Sequence, residues 1–296
     1  MLELRHIDHY AHASRVDRLV AERDVILTYV LKALSKGSDP LLTHLAFKGG
    51  TCLKKIYLGK TGRVSLDLDF TSVDLTRRQL QNRFKRILDG KTHHDINFRF
   101  IDEYSRDEES YGANISYSHN YNQASFKVET SFRERPILKV ISFRILEELY
   151  FKYLDFKPFE VPCLQKEELI AEKIRAAFQR MGSRDLYDLY LFAKKPYNSD
   201  LVKKLVVVKL WNVRDPFNPI SFFDDIEKES YDLTELRNLV RGKTLPRRRQ
   251  FINIILQNYS YLKDLNEELK IIANDSKPHK ETKLVKKIVD QTRKMT

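Results

Sequence analysis

The chain predicts an α+β protein of two lobes: an N-terminal domain built on a mixed or antiparallel sheet flanked by helices, and a helical C-terminal domain. Three observations carry this expectation. Strand-like runs cluster between residues 64 and 132, and almost every segment after Pro162 has helical period. The 296 residues supply about two domains of typical size, with enough chain for a real core. The expected division is 1–160 and 161–296, near Pro158 and Pro162.

The elements follow in order. Val16 to Leu34 carry apolar residues at helical spacing and then meet Gly37, a helix stop. Leu42 to Phe47 lead into Gly49-Gly50, and Thr51 to Leu58 read as a short helix. Val64 to Phe70 alternate strictly and predict a strand, and Leu75 to Leu88 predict a basic amphipathic helix. Strands are expected over Ile96 to Ile101, Ala113 to Tyr117 and Ser125 to Phe132, bounded by Asn, Gly and Ser. Helices are then expected over Glu167 to Met181, Arg184 to Ala193, Asp200 to Trp211, Pro246 to Tyr259 and Tyr261 to Ile272.

Composition narrows the function classes. Hydrophobic residues make up 42% and charged residues 32%, an ordinary globular balance. Cys52 and Cys163 lie far apart, so no disulfide framework organises the fold, which fits a reducing cytosol. The N-terminal stretch has no apolar leader core, and no run approaches eighteen apolar residues. A cytoplasmic protein without a membrane span is expected. The net charge is +12, from 26 basic and 22 acidic residues in 1–160 and 27 and 19 in 161–296. That excess favours a polyanionic partner such as RNA or DNA, or marks an inert basic surface.

Arg63 to Phe70 is the most informative segment. In a strand, alternate side chains share a face. Leu66, Leu68 and Phe70 would point into a core, and Ser65, Asp67 and Asp69 would line the other face. Two like charges on one strand face repel, so a divalent cation is the natural compensation. Mg²⁺ (or Mn²⁺) suits the carboxylates, because such a cation shares its shell with water and substrate phosphates. The competing reading is a solvated acidic strand face. About fifteen residues earlier stands Gly49-Gly50-Thr51 before a helix. Backbone N–H groups there could approach a phosphate, with a Thr51 hydroxyl beside them, or the pair could be a plain turn. Gly59-Lys60-Thr61 is not a P-loop, since the position that needs its first glycine is Lys54.

In Glu167 to Arg180, the neighbours of Lys173 at three and four residues are Leu169, Ile170, Ala176 and Ala177. A lysine on that apolar face either snorkels out or reaches an anion such as a triphosphate. In Arg184 to Tyr190, Asp185 and Asp188 share a helix face. They could be ordinary helix charges, or a network that fixes the lysine.

Four segments in this order, Phe47-Lys48-Gly49-Gly50-Thr51-Cys52-Leu53, Arg63 to Phe70, the Lys173 helix and Arg184 to Leu189, resemble the AbiEii-type toxins of abortive-infection systems. The MenT-type tRNA nucleotidyltransferases are grouped with that family. The resemblance spans roughly residues 40–195. It implies a nucleotidyltransferase fold for the first domain, a nucleoside triphosphate donor, and an RNA acceptor, for MenT-like members the tRNA 3′ end. It also implies a cognate antitoxin, commonly DNA-binding. By position, the catalytic set falls on Ser65, Asp67, Asp69, Lys173 and Asp188, with Asp185 in the same motif. Gly49, Gly50, Thr51, Ser65, Lys173 and Asp185 would meet the nucleotide. A third metal carboxylate on a neighbouring strand is usual in such sites. In Phe126 to Phe132, Glu129 shares a face with Lys127 and Ser131 and is the candidate, or is a plain exposed glutamate. The rival functions are a nucleotide- or nucleic-acid-binding module without transfer activity, acting through Arg247-Arg248-Arg249 and the basic run Lys277 to Lys294, and a phosphotransferase acting on protein.

Overall fold

The computed structural model describes residues 3–106, 108–228, 231, 233–275 and 280–295. Of the basic run Lys277 to Lys294, residues 277–279 lie outside the described residues. The chain divides into two compact units: Met1–Pro136 with Val140–Leu164 and Asn238–Thr244, and Ile137–Lys139 with Gln165–Arg237 and Leu245–Thr296.

The first unit is built on an eight-stranded mixed sheet. In chain order the strands are β1 (Leu45–Lys48), β2 (Asp67–Ser72), β3 (Lys91–His93), β4 (Ile96–Arg106), β5 (Ser110–His119), β6 (Asn122–Ser131), β7 (Ile141–Arg144) and β8 (Glu160–Cys163). Their order across the sheet is β3-β4-β5-β6-β2-β1-β8-β7. The β2/β6 and β1/β8 pairs are parallel, and the other pairs are antiparallel. Its helices are α1 (Leu4–Ser14), α2 (Arg18–Leu34), α3 (Gly49–Cys52), which continues into a π-helical segment Leu53–Leu58, and α4 (Arg77–Leu88). Thr76 begins α4 through a reciprocal cap with Gln79, as Thr with Gln three residues on favours. The apolar face of α4, Leu80, Phe84 and Leu88, is fully buried. Phe84 lies 6.5 Å from Phe70 and 6.3 Å from Tyr111 between ring centroids, so α4 covers one face of the sheet with aromatic packing.

The second unit is helical: α5 (Lys166–Arg180), α6 (Ser183–Phe192), α7 (Ser199–Asn212), α8 (Pro219–Lys228), α9 (Thr234–Leu239), whose last residues pass into the first unit, α10 (Arg248–Asn258), α11 (Glu267–Asn274) and α12 (Thr282–Arg293). The helix expected over Tyr261 to Ile272 is broken. A short 3₁₀ turn, Ser260–Lys263, ends before Asn266, whose side chain caps α11 through the Leu269 N–H at 2.9 Å. No helix among the described residues is long and apolar enough to cross a membrane.

Both excursions of the chain are held by buried charge. Glu168, fully buried on α5, accepts the Ile137 and Leu138 N–H groups at 2.9 Å each and pairs with Lys209 Nζ at 2.9 Å. Those bonds hold Ile137–Lys139 in the second unit. In the first unit, the Leu239 carbonyl accepts the Val64 N–H at 2.7 Å, and Arg241 Nη2 pairs with Glu148 Oε1 at 2.7 Å. The Val64 contact also corrects the expected strand. Because that N–H bonds to Leu239 and not to a neighbouring strand, β2 begins at Asp67, and Leu66 is half-buried outside the core.

Candidate active site

β2 places Leu68 and Phe70 in the core and turns Asp67 and Asp69, both half-buried, to the opposite face. The sheet register sets their neighbours. Asp69 stands opposite Lys48 on β1 and Glu129 on β6, and Asp67 stands opposite Lys127. Residues directly opposite in paired strands face the same side, so Asp67, Asp69, Lys127 and Glu129 form one polar patch. Glu129 is exposed, and its Oε1 accepts the Tyr104 hydroxyl at 2.7 Å.

The glycine pair is bound to this patch sterically. Gly49 has φ +73°, a left-handed backbone that leads into α3, and a Cβ built on it would lie 1.9 Å from Asp69 Oδ2. The Asp69 carboxylate therefore occupies the space that any side chain at 49 would need. A Cβ on Gly50 would meet Ser65 Oγ and Arg63 Nη2, both at 2.8 Å. Arg63 is buried, so a guanidinium sits beside the glycine turn and Ser65. Thr51 ties the turn to the strand. Its hydroxyl donates to the Asp67 carbonyl at 2.5 Å and is fully buried, so it holds the start of β2 against α3.

In the second unit, α5 ends at Met181 in left-handed backbone (φ 48°), and the chain reverses into α6. That reversal brings Lys173 against the first turns of α6. Lys173, 8% exposed, pairs with Asp185 Oδ1 at 2.9 Å and with Asp188 Oδ2 at 2.8 Å. Asp185 also accepts Arg180 Nε at 2.7 Å and Nη2 at 2.6 Å through its other oxygen. Burial would push the Asp185 carboxyl up, but the two cations hold it below the usual carboxylate range.

The structure thus gathers Gly49, Gly50, Thr51, Ser65, Asp67, Asp69 and Glu129 in the first unit, and Lys173, Asp185 and Asp188 in the second. Among the described residues, no three His, Cys, Asp or Glu side chains converge into a ready-made metal cage. The oxygen-only donors Asp67 and Asp69 suit a hard cation that keeps water and takes substrate oxygens, rather than one enclosed by protein.

Sequence reading missed one cluster. Asp24 on α2 is fully buried and accepts Lys54 Nζ, Lys55 Nζ at 2.8 Å and the Tyr10 hydroxyl at 2.6 Å. Lys55 Nζ also reaches Thr28 Oγ1 at 2.8 Å. Burial opposes the charge on Asp24, yet the two ammonium groups drive its carboxyl far below the usual range. The signal was present: Lys54-Lys55 interrupts an apolar run just after the glycine pair.

The profile of the nucleotidyl transferase AbiEii toxins of type IV toxin–antitoxin systems matches residues 32–264, a stretch that contains the glycine pair, Asp67, Asp69, Glu129, Lys173, Asp185 and Asp188. The chain belongs to that family. It is a nucleotidyltransferase toxin, and its family generally uses a nucleoside triphosphate and a divalent metal. The MenT4 nucleotidyltransferase toxin of Mycobacterium tuberculosis H37Rv has the same fold, with TM-score 0.82 over 99% of this chain and 100% of that one, at 23% identity. The JHP933 protein of Helicobacter pylori is 18% identical over 95% of this chain and 97% of its own, with TM-score 0.47. Among curated proteins no sequence matches this chain.

Proposed function

We propose that this nucleotidyltransferase moves a nucleoside monophosphate from a nucleoside triphosphate to an RNA acceptor, the 3′ end of tRNA, with Mg²⁺ (or Mn²⁺) held by Asp67 and Asp69. The observation that carries the reading is the Asp69 carboxylate seated over Gly49, with Asp67 anchored through Thr51. Carboxylates and glycine backbone then meet at one place, which suits a cation and a polyphosphate bound together. Glu129, opposite Asp69 in the sheet register, is the candidate for a third carboxylate that would join them once a cation is bound.

The bound cation would neutralise phosphate charge and polarise the α-phosphorus. Gly49 and Gly50 let the Asp69 carboxylate, Ser65 and the Arg63 guanidinium close on the backbone of the turn, and Arg63 and Ser65 would meet phosphate oxygens there. An acceptor hydroxyl oxygen attacks the α-phosphorus, the bond from that phosphorus to the bridging oxygen breaks, pyrophosphate leaves, and the hydroxyl gives up its proton to solvent water. Lys173 serves as a phosphate-binding cation, and Asp185 and Asp188 fix its ammonium from two sides. The +12 charge supports RNA as the acceptor, bound through its phosphates with an affinity that falls as salt rises. A cognate antitoxin, DNA-binding or not, would restrain the activity in the cytoplasm.

Incubation with tRNA and triphosphates labelled at the α- or γ-phosphorus tests this. Label from the α position should pass to the RNA, and Asp67→Ala should abolish it. Transfer of γ label to protein, or undiminished α transfer by Asp67→Ala, refutes the assignment.

A further inference from the structure

One row of residues crosses four strands of the sheet: Tyr104 on β4 opposite Gly112 on β5, Gly112 opposite Glu129 on β6, and Glu129 opposite Asp69 on β2. All four face the side that carries Asp67. Tyr104 is 41% exposed, although aromatic side chains on sheets usually bury their rings. Its ring leans over Gly112, where a Cβ would lie 2.3 Å from ring carbons Cε2 and Cζ. Its hydroxyl donates to Glu129 at 2.7 Å. The ring is thus fixed at both ends, below by a missing side chain and at its tip by a carboxylate. With 41% of the residue exposed, part of the ring stays open to solvent beside the carboxylate patch.

The geometry points to Tyr104 as a stacking platform for a nucleobase of the substrate whose phosphates meet Asp67 and Asp69, a role that rests on the transfer-site reading above. Strands stand ~4.8 Å apart, so Tyr104 is about 14 Å from Asp69 at the backbone, and the lean over Gly112 shortens that gap at the side chain. A sugar between phosphate and base bridges such a distance. An aromatic face accepts any base, because every base has a π-face, and the hydroxyl bond pre-pays the ordering of the ring. The base belongs either to the donor triphosphate or to the acceptor RNA.

A purely structural role, a tyrosine shielding a sheet glycine, predicts a loss of thermal stability with no effect on ligands. A role through Glu129 alone predicts that Tyr104→Phe fails as badly as Tyr104→Ala. The test is titration calorimetry on the full chain with Mg²⁺, using each of the four nucleoside triphosphates, inorganic tripolyphosphate and unfractionated tRNA. The variants are Tyr104→Phe, Tyr104→Ala and Gly112→Ala, the last of which pushes the ring aside without changing it. Loss of stacking should weaken binding by about 5- to 150-fold in Tyr104→Ala and Gly112→Ala, with Tyr104→Phe near wild type and tripolyphosphate unaffected. Weakening of a triphosphate assigns the donor base, and weakening of tRNA alone assigns the acceptor base. Equal losses in Tyr104→Phe and Tyr104→Ala, equal losses for tripolyphosphate, or no loss in any ligand would overturn the platform while leaving the metal site standing. If the unaltered protein bound neither tripolyphosphate nor triphosphate, the transfer-site reading would fall and the platform with it.

Discussion

Gly49→Ala separates the shape of the candidate site from its mere composition. At φ +73° an alanine pays about 1–2 kcal/mol for left-handed backbone. At ~2–4 °C per kcal/mol for a unit of this size, the first unit should melt roughly 2–8 °C lower. The clash is the larger matter. The new Cβ would lie 1.9 Å from Asp69 Oδ2, about half the ordinary separation of such atoms, so the carboxylate or the turn must move by more than an ångström. A displacement of that size at a reacting centre costs on the order of 100-fold in rate. Gly90→Ala supplies the control. Gly90 has φ +63° and nothing within 4 Å of its Cβ position, so it carries the same backbone penalty with no clash. The assay is α-label transfer to tRNA beside a melting curve for each variant. Gly49→Ala should lose about two orders of magnitude of transfer, and Gly90→Ala should lose only melting temperature. Equal activity in the two variants would show that the Asp69 carboxylate need not sit where it does, and the site reading would fail.

Two further predictions concern buried charge. Asp24→Asn removes the charge that compensates two buried ammonium groups, so the first unit should lose about 3–5 kcal/mol, and adding Lys55→Met should restore part of it; an unchanged melting curve would contradict the cluster's structural role. Asp185 is held below the usual carboxylate range when folded, so its pairing stabilises fully above the unfolded value of about 4 and is lost as pH falls through the lower folded value. Melting of the second unit below about pH 4 should therefore depend less steeply on pH in Asp185→Asn than in wild type.

What was legible in the sequence was what depends on period and local chemistry. The alternation at Leu68 and Phe70 set the outward face of Asp67 and Asp69, and the apolar neighbours of Lys173 set its inward face. Thr51 was read as a hydroxyl beside the glycine pair, and in the fold that hydroxyl donates to a backbone carbonyl. A hydroxyl one residue past a glycine pair says nothing of a carbonyl sixteen residues on, and the Asp67 carbonyl captured it. α1 was overlooked although Ile7, Tyr10, Ala11 and Ser14, its buried residues, stand at helical spacing. Three histidines disguised that stripe, and His6 now stacks on Tyr153 with centroids 4.0 Å apart. The Asp24 cluster left only the Lys54-Lys55 interruption as a trace, for a different reason. Its members come from α1, α2, the π-helical segment and residues near 150, and only tertiary packing brings them together.

Tyr104 shows how far a single residue can carry that difference. Ile96, Phe98 and Phe100 alternate toward the core side, and continued alternation would send Asp102 and Tyr104 there too. The ladder to β5 instead pairs Phe100 with Ile115 and Asp102 with Asn114, so Ile101 is an extra residue, 58% exposed. One inserted residue moves every later side chain to the opposite face. Beyond the bulge, Glu103 turns toward α4, where it accepts the Tyr111 hydroxyl at 2.7 Å and pairs with Lys85, while Asp102 and Tyr104 turn out to the face of Asp67 and Asp69. The predicted strand ends at Ile101, where two apolar residues, Phe100 and Ile101, stand side by side. In the folded protein the strand continues, and that extra residue is what brings an aromatic ring to the carboxylate side of the sheet.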